Sequence, residues 1–304
     1  MSFQPFRVRV PATTANLGAG FDCLGLALSL HNELEVSPSG LTKLGIEGEG
    51  AGQLPTDDAN LVLRTIRKVS ALIGRELPEI RVLCRNRIPL ARGMGSSAAV
   101  LVSSAVAANR LHGNPLSQSQ ILHLVVEEEG HADNVAPAMY GGLAVCGQRG
   151  AEPVFHRIDP VRDLKVVLLI PDFHLETSKA REAMPSDVSL ADAVANLQNC
   201  ALTAVAFSSG DYTLLESSLN DRLHQPYRKG FIPGFDEVLE AATSAGAYGA
   251  ALSGAGPTMA AFTVHHAEKV ARAMENGYSK HGKGACRTMI LEIDTDGAVV
   301  ADLD

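Results

Sequence analysis

No apolar run in this chain approaches the ~20 residues that a membrane span requires. The opening segment Met1-Ser2-Phe3-Gln4-Pro5-Phe6-Arg7 also lacks the apolar core of a secretory signal. Basic residues are in deficit. The chain has 26 Lys and Arg against 34 Asp and Glu, a formal charge of −8, which argues against nucleic acid or an anionic membrane as partner. The five cysteines (Cys23, Cys84, Cys146, Cys200 and Cys286) are scattered, with no Cys-x-x-Cys pair to suggest zinc. Reduced thiols in a cytoplasm are the expectation. Internal repeats, charge blocks and disordered linkers are missing as well. Tryptophan is absent, and that excludes nothing. What the 304 residues allow is one large or two medium domains with an ample core.

The stretch Ile88-Pro89-Leu90-Ala91-Arg92-Gly93-Met94-Gly95-Ser96-Ser97-Ala98-Ala99 is the most informative feature present. It follows a strand-like run (Ile80, Val82, Cys84) and leads into an apolar segment, Val100 to Leu111, that stops at His112-Gly113-Asn114-Pro115 as a helix does. A Gly-x-Gly-Ser-Ser turn opening a helix lets backbone approach a ligand, and its unpaired N–H groups favour an anion. The two serines add hydroxyls for phosphate oxygens or a magnesium ion. This reads as a nucleotide-phosphate loop of an uncommon kind. A Walker loop needs a lysine, and none lies here. Neither this loop nor Gly18-Ala19-Gly20 nor Gly254-Ala255-Gly256 completes Gly-x-Gly-x-x-Gly with dinucleotide-type flanks. For the loop alone, a capped helix start without a ligand remains the alternative.

Elsewhere, Phe6 to Val10 alternates as a half-buried strand, and Asn32 to Val36 reads as another. Val62, Ile66, Val69 and Ile73 mark a helix with acidic residues at its start and Gly74 at its end. Ser117-x-x-Gln120 is a capping-box start for the helix that carries Glu127, Glu128 and Glu129. Gly141-Gly142, followed by Gly147 to Gly150, suggests the end of a first domain, residues 1–150, with a second over 151–304. The second half opens on a buried-strand run, Leu164 to Ile170. Helical patterns follow at 188–207, 235–245 and 267–281, with strands flanking Gly254-Ala255-Gly256 and at 289–293. Strands and helices mix without a steady βαβ rhythm, which favours α+β.

Three segments recur in one order: the Gly-Ser-Ser loop, Glu127-Glu128-Glu129-Gly130-His131-Ala132-Asp133-Asn134, and Leu252-Ser253-Gly254-Ala255-Gly256-Pro257-Thr258. With Pro11-Ala12-Thr13-Thr14-Ala15-Asn16-Leu17-Gly18-Ala19-Gly20-Phe21-Asp22 and His224-Gln225-Pro226-Tyr227-Arg228, they resemble the GHMP small-molecule kinases, in detail the branch that phosphorylates homoserine. The resemblance implies a two-domain α+β fold with a left-handed βαβ unit and an active site between the domains. It implies ATP as co-substrate, Mg2+, and a small-molecule acceptor, L-homoserine, with a homodimer left open. Arg92, Gly93, Gly95, Ser96, Ser97 and Ala98 would meet the ATP phosphates, and Asn60 and Val62 the adenine side. Ser97 and Glu127 would hold the metal, with Glu129 as the other candidate. Asn16, Asp22, His131, Thr177, Arg181 and Arg228 would bind the acceptor, the two arginines gripping its carboxylate. His131, Asp133 and Asn134 would stand at the chemistry, Asp133 being the candidate base. The competing acceptor is a mevalonate-type or sugar hydroxyl. Neither gives Asp22 an ammonium partner.

Overall fold

A computed structural model describes residues 3–161 and 163–303. Its first half runs β1 (Phe6–Ala15), β2 (Leu24–Pro38), β3 (Lys43–Gly48), α1 (Leu61–Leu72), β4 (Ile80–Asn86), α2 (Ser96–Leu111), α3 (Gln118–Glu129), α4 (Ala132–Tyr140) and a hairpin, β5 (Leu143–Arg149) with β6 (Glu152–Ile158). The second half adds β7 (Lys165–Pro171), α5 (Thr177–Glu182), α6 (Leu190–Ser209), α7 (Leu215–Ser218), α8 (Gln225–Arg228) and α9 (Phe235–Ser244). It closes with β8 (Gly249–Leu252), β9 (Met259–Thr263), α10 (Ala267–His281), β10 (Cys286–Leu291) and β11 (Val299–Asp302). The architecture is α+β.

Along β1, Phe6, Val8 and Val10 are buried while Arg7 and Arg9 stay half-exposed, as a one-sided strand requires. From Pro11 onward every residue is buried, and the register against β2 shifts between Pro11 and Ala12. Proline cannot donate to the ladder, and a bulge tolerates it. The first sheet has the order β11-β1-β2-β4-β3, with β5 beside β2 and β6 beyond β5. β3 and β4 pair in parallel, so α1 lies in the crossover that joins them. Buried α2 and α4 pack over β1. Gly25 is what lets α4 approach, because a Cβ there would stand 1.6 Å from the Asp133 carbonyl oxygen.

The second sheet runs β10-β7-β9-β8, all antiparallel. β7 alternates between two cores. Val166, Leu168 and Ile170 join the apolar interior of the first sheet, while Val167 and Leu169 pack with Val238, Met274 and Tyr278 of α9 and α10. The junction of the halves is therefore packed core. The expected break after residue 150 falls at Gly150 in the turn of the β5–β6 hairpin, and β11 returns to pair with β1. Sheet pairing thus keeps residues on both sides of 150 in the first sheet. The acidic pair Asp57-Asp58 precedes the Asn60 cap instead of lying in the first turn of α1. Among the described residues no helix is long and apolar enough to cross a membrane.

Asp294 ties down the returning chain. Its carboxylate pairs with His31 Nε2 at 2.7 Å and accepts N–H bonds from Asp296 and Gly297. Burial alone would raise its pKa, but His31 and the two N–H donors outweigh burial and hold it below the ordinary value. A depressed carboxyl contributes stability that is present above the unfolded pKa of ~3.9 and is lost as pH falls through the lower folded value. Asp294→Asn is expected to cost about 1–3 kcal/mol at neutral pH and to flatten the acid limb of the melting-temperature profile. Thermal melts across pH check it.

Candidate active site

Three turns converge on one cleft. The first, after β1, places Asn16, Leu17, Gly18 and Asp22 at positive φ (71°, 41°, 68° and 54°). Non-glycine residues there store strain that the surroundings must hold. Here Asn16 Nδ2 donates to the Gly254 carbonyl at 2.9 Å, its Oδ1 accepts from the Asp22 N–H at 3.0 Å, and His224 Nε2 donates to the Gly18 carbonyl at 2.7 Å. Asn16 thus lines the cleft but holds the turn with both ends of its amide.

The second turn leads into α2. Gly95 caps the helix at φ 68°, where a Cβ would stand 1.9 Å from Thr13 Oγ1, and a Cβ on Gly93 would stand 2.2 Å from the Ser253 carbonyl oxygen. Only glycine fits either place. Ser253 Oγ in turn donates to the Gly93 carbonyl at 2.6 Å, so the turn between β8 and β9 clasps the loop. The first N–H groups of α2, on Ser96, Ser97 and Ala98, lie ahead of the helical ladder. Ser96 Oγ is buried at the wall of the cleft and has no hydrogen-bond partner among the described residues, so it is free to donate there. Ala98 is fully buried, so only its main chain can serve.

The third turn separates α3 from α4. Gly130 (φ 88°) ends α3, and His131 enters α4 extended. Ser97 Oγ donates to Glu129 Oε2 at 2.8 Å, whereas Glu127 is exposed and does not line the cleft. Of the two carboxylates expected as candidates, Glu129 and not Glu127 stands beside Ser97 in the cleft. Two residues apart on a helix means opposite sides, and the break at Gly130 upsets any count from His131. Burial raises the Glu129 pKa against the lowering effect of Ser97 and His131. Below it, His131 Nδ1 meets Asp133 Oδ1 at 2.6 Å, Asn134 Nδ2 donates to the same oxygen at 3.3 Å, and Thr13 Oγ1 donates to Asn134 Oδ1 at 2.7 Å. Burial would lower the His131 pKa, but Asp133 beside it raises it overall.

At the far end, Arg181 grips Asp22 with two bonds of 2.7 and 3.1 Å. That pair raises the Arg181 pKa. Arg228 is only 2% exposed, yet it donates to the carbonyls of Ala180 and Gly254 and has no carboxylate within ion-pair distance among the described residues. Burial, then Arg181, lowers its pKa. A buried cation without a counter-ion is costly, and the cost makes sense when an anion arrives. Phe21 supports both guanidinium groups, 5.5 Å from Arg181 and 5.0 Å from Arg228, and stacks on His224. The cleft together with the open solvent at its mouth spans about 660 Å³. Past Ala91, Ser96, Ser97 and Thr177 it opens into a more apolar recess lined by Leu54, Pro55, Val62 and Leu175.

These motifs have counterparts in known proteins. Residues 60–142 match the model of the GHMP kinases N terminal domain, and residues 203–280 that of the GHMP kinases C terminal domain. Homoserine kinase of Desulfitobacterium hafniense is 41% identical over 97% of this chain and 99% of its own. That of Trichormus variabilis is 44% identical over 96% of this chain and 97% of its own. The chain belongs to the homoserine kinase family of the GHMP kinases. The crystal structure of homoserine kinase from Cytophaga hutchinsonii superposes with a TM-score of 0.87 at 30% identity, covering 99% of this chain and 98% of that one. As a kinase of this family, the protein takes ATP as co-substrate.

Within this GHMP kinase, two residues expected to meet ATP also hold partners in the protein. Arg92 turns from the phosphate loop to donate to the Pro171 carbonyl at 2.7 Å and to Asp172 at 2.8 Å, bracing the loop against β7. Asn60 caps α1, accepting from the Val62 N–H at 2.9 Å and donating to the Pro55 carbonyl at 2.6 Å, so its amide shapes the apolar recess. The sequence alone shows no partner for Thr13, Phe21 or His224. Each stood inside a quoted motif, and only the fold shows what it touches.

Proposed function

We propose that this kinase transfers the γ-phosphoryl group of ATP to the side-chain hydroxyl of L-homoserine, giving O-phospho-L-homoserine for threonine biosynthesis. The observation that carries the reading is the buried, unpaired Arg228 beside the Asp22–Arg181 pair. A zwitterion meets that set of charges: its carboxylate suits the two guanidinium groups and its ammonium suits Asp22. The names of the relatives support the same acceptor. Five free thiols support a reducing cytoplasm as the setting.

The ATP phosphates would lie on the N–H groups that open α2, with Ser96 Oγ as a further donor and the adenine in the apolar recess beside Val62. Ser97 and Glu129 together offer a hydroxyl and a carboxylate, which fits Mg2+ completed by phosphate oxygens and water. No group of three or more His, Cys, Asp or Glu that could form an all-protein metal cage occurs among the described residues. Bound there, the ion would neutralise charge on the phosphates during transfer. The acceptor hydroxyl would sit by His131 and Asn134. Asp133 is 2% exposed and already accepts from both of these side chains, so it orients His131 and leaves Nε2 for the cleft. The hydroxyl proton passes to the phosphoryl oxygens, and positioning supplies the rate.

Asp133→Asn is accordingly expected to reduce kcat by no more than about 10²-fold, with ATP binding unchanged. Steady-state kinetics on the folded variant check this, and a loss beyond about 10³-fold would restore Asp133 as the base. The acceptor reading is tested by comparing L-homoserine with 4-hydroxybutanoate and 3-amino-1-propanol, which lack the ammonium and the carboxylate respectively. Both analogues should turn over at least about 10²-fold less efficiently. Equal turnover of either one would remove the corresponding half of the pocket.

A further inference from the structure

Thr13 lies near the end of β1, past the bulge at Pro11 and Ala12, and is fully buried. It touches both sides of the cleft. Its main-chain N–H donates to the Met94 carbonyl of the phosphate loop at 3.1 Å, and its hydroxyl donates to Asn134 Oδ1 at 2.7 Å. Gly95 lies against that second bond: a Cβ there would stand 1.9 Å from Thr13 Oγ1 and 3.2 Å from Asn134 Oδ1. The direction of each bond follows from Asp133. A carboxylate has no hydrogen to give, so the Asn134 group facing it at 3.3 Å must be Nδ2, and Oδ1 must face Thr13. An amide oxygen only accepts, so the Thr13 hydroxyl has to donate. Donation therefore runs from Thr13 to Asn134 to Asp133, and His131 meets the same carboxylate oxygen at 2.6 Å. Asn134 lines the cleft with one N–H of Nδ2 left without a partner among the described residues.

We infer that Thr13 is a positioning residue for phosphoryl transfer, its hydroxyl locking the Asn134 amide so that an N–H, and not the carbonyl oxygen, serves the acceptor hydroxyl. The inference rests on the proposed placement of that hydroxyl beside Asn134. A donor held in place before the reaction stabilises developing charge without rearranging. An amide turned end for end would set Oδ1 against the Asp133 carboxylate and offer the acceptor an oxygen instead. Valine has the shape of threonine but no hydroxyl, so it would leave Oδ1 unpaired and release the amide. The loss should fall on kcat. ATP binding should not change, because the main-chain bond to Met94 is kept whatever side chain stands at 13.

Steady-state kinetics of Thr13→Val, Thr13→Ser, Asn134→Ala and the double variant test this, with a thermal melt for each. Thr13→Val should lose at least about 10-fold in kcat while the KM for ATP stays within about twofold, and Thr13→Ser should recover most of the rate. Asn134→Ala should lose about 10²-fold. Adding Thr13→Val to it should cost less than about twofold more, because the threonine acts through the amide. Where valine lowers the melting temperature enough to obscure the rate, Thr13→Ala carries the same comparison. Losses that multiply in the double variant would overturn the inference and leave the acceptor placement intact. So would a Thr13→Val enzyme at the parental rate while Asn134→Ala is slow. An Asn134→Ala enzyme at the parental rate would remove the placement itself, and the inference with it.

Discussion

Glu129→Gln should lower kcat by about 10³-fold, while Glu127→Gln leaves it within about twofold. The contrast follows from two residues at the end of one helix. Glu129 accepts from Ser97 Oγ at the phosphate end of the cleft, and Glu127 stands exposed outside it. The amide keeps the size of the side chain and its bond to Ser97 but loses the charge a hard cation needs. Its loss should also raise the magnesium concentration required for half-maximal rate, with the KM for the acceptor little changed. Magnesium titration of both variants at saturating ATP is the measurement. An equal loss from Glu127→Gln would mean that α3 ends differently in the working enzyme.

Arg228→Met is the second large effect, with kcat/KM for L-homoserine falling by about 10³-fold while the KM for ATP holds. Arg228 is buried among carbonyls with no carboxylate at ion-pair distance among the described residues, so a substrate carboxylate bound there would relieve a cost already present in the free enzyme. Methionine fills similar space without charge, and the variant should melt within a few degrees of the parent. Arg228→Lys should not rescue activity, because an ammonium cannot hold both carbonyls and present a planar fork to a carboxylate. Kinetics with paired melts decide the matter. A collapse in melting temperature that accounts for the lost activity would make Arg228 structural.

Much of this was legible in the chain before folding. Ser117 and Gln120 form both bonds of the capping box, and α10 spans the same 267–281 that its pattern marks. Local signals of this kind depend on neighbours a turn away. The Gly93–Ser97 loop was legible for the same reason, since glycine at positive φ before a helix has few uses. What stayed hidden depends on partners far along the chain. Nothing near Arg92 in sequence shows that Pro171 and Asp172 claim its guanidinium, and nothing near Asp133 shows that its own carbonyl demands Gly25. The sheet membership of β6 and β11 likewise follows from pairing with β5 and β1, which no local periodicity contains. The pocket residues at 22, 181 and 228 were found through motif order, and their mutual geometry came only from the fold.

On this reading the cleft phosphorylates a zwitterionic acceptor. Release of ADP from Mg-ATP, measured with L-homoserine, D-homoserine, L-serine, mevalonate and galactose in parallel, tests it most directly. Strong turnover of L-homoserine alone is the expected result. Turnover of mevalonate or galactose in its place, or silence with every acceptor while ATP still binds, would contradict the pocket built on Asp22, Arg181 and Arg228.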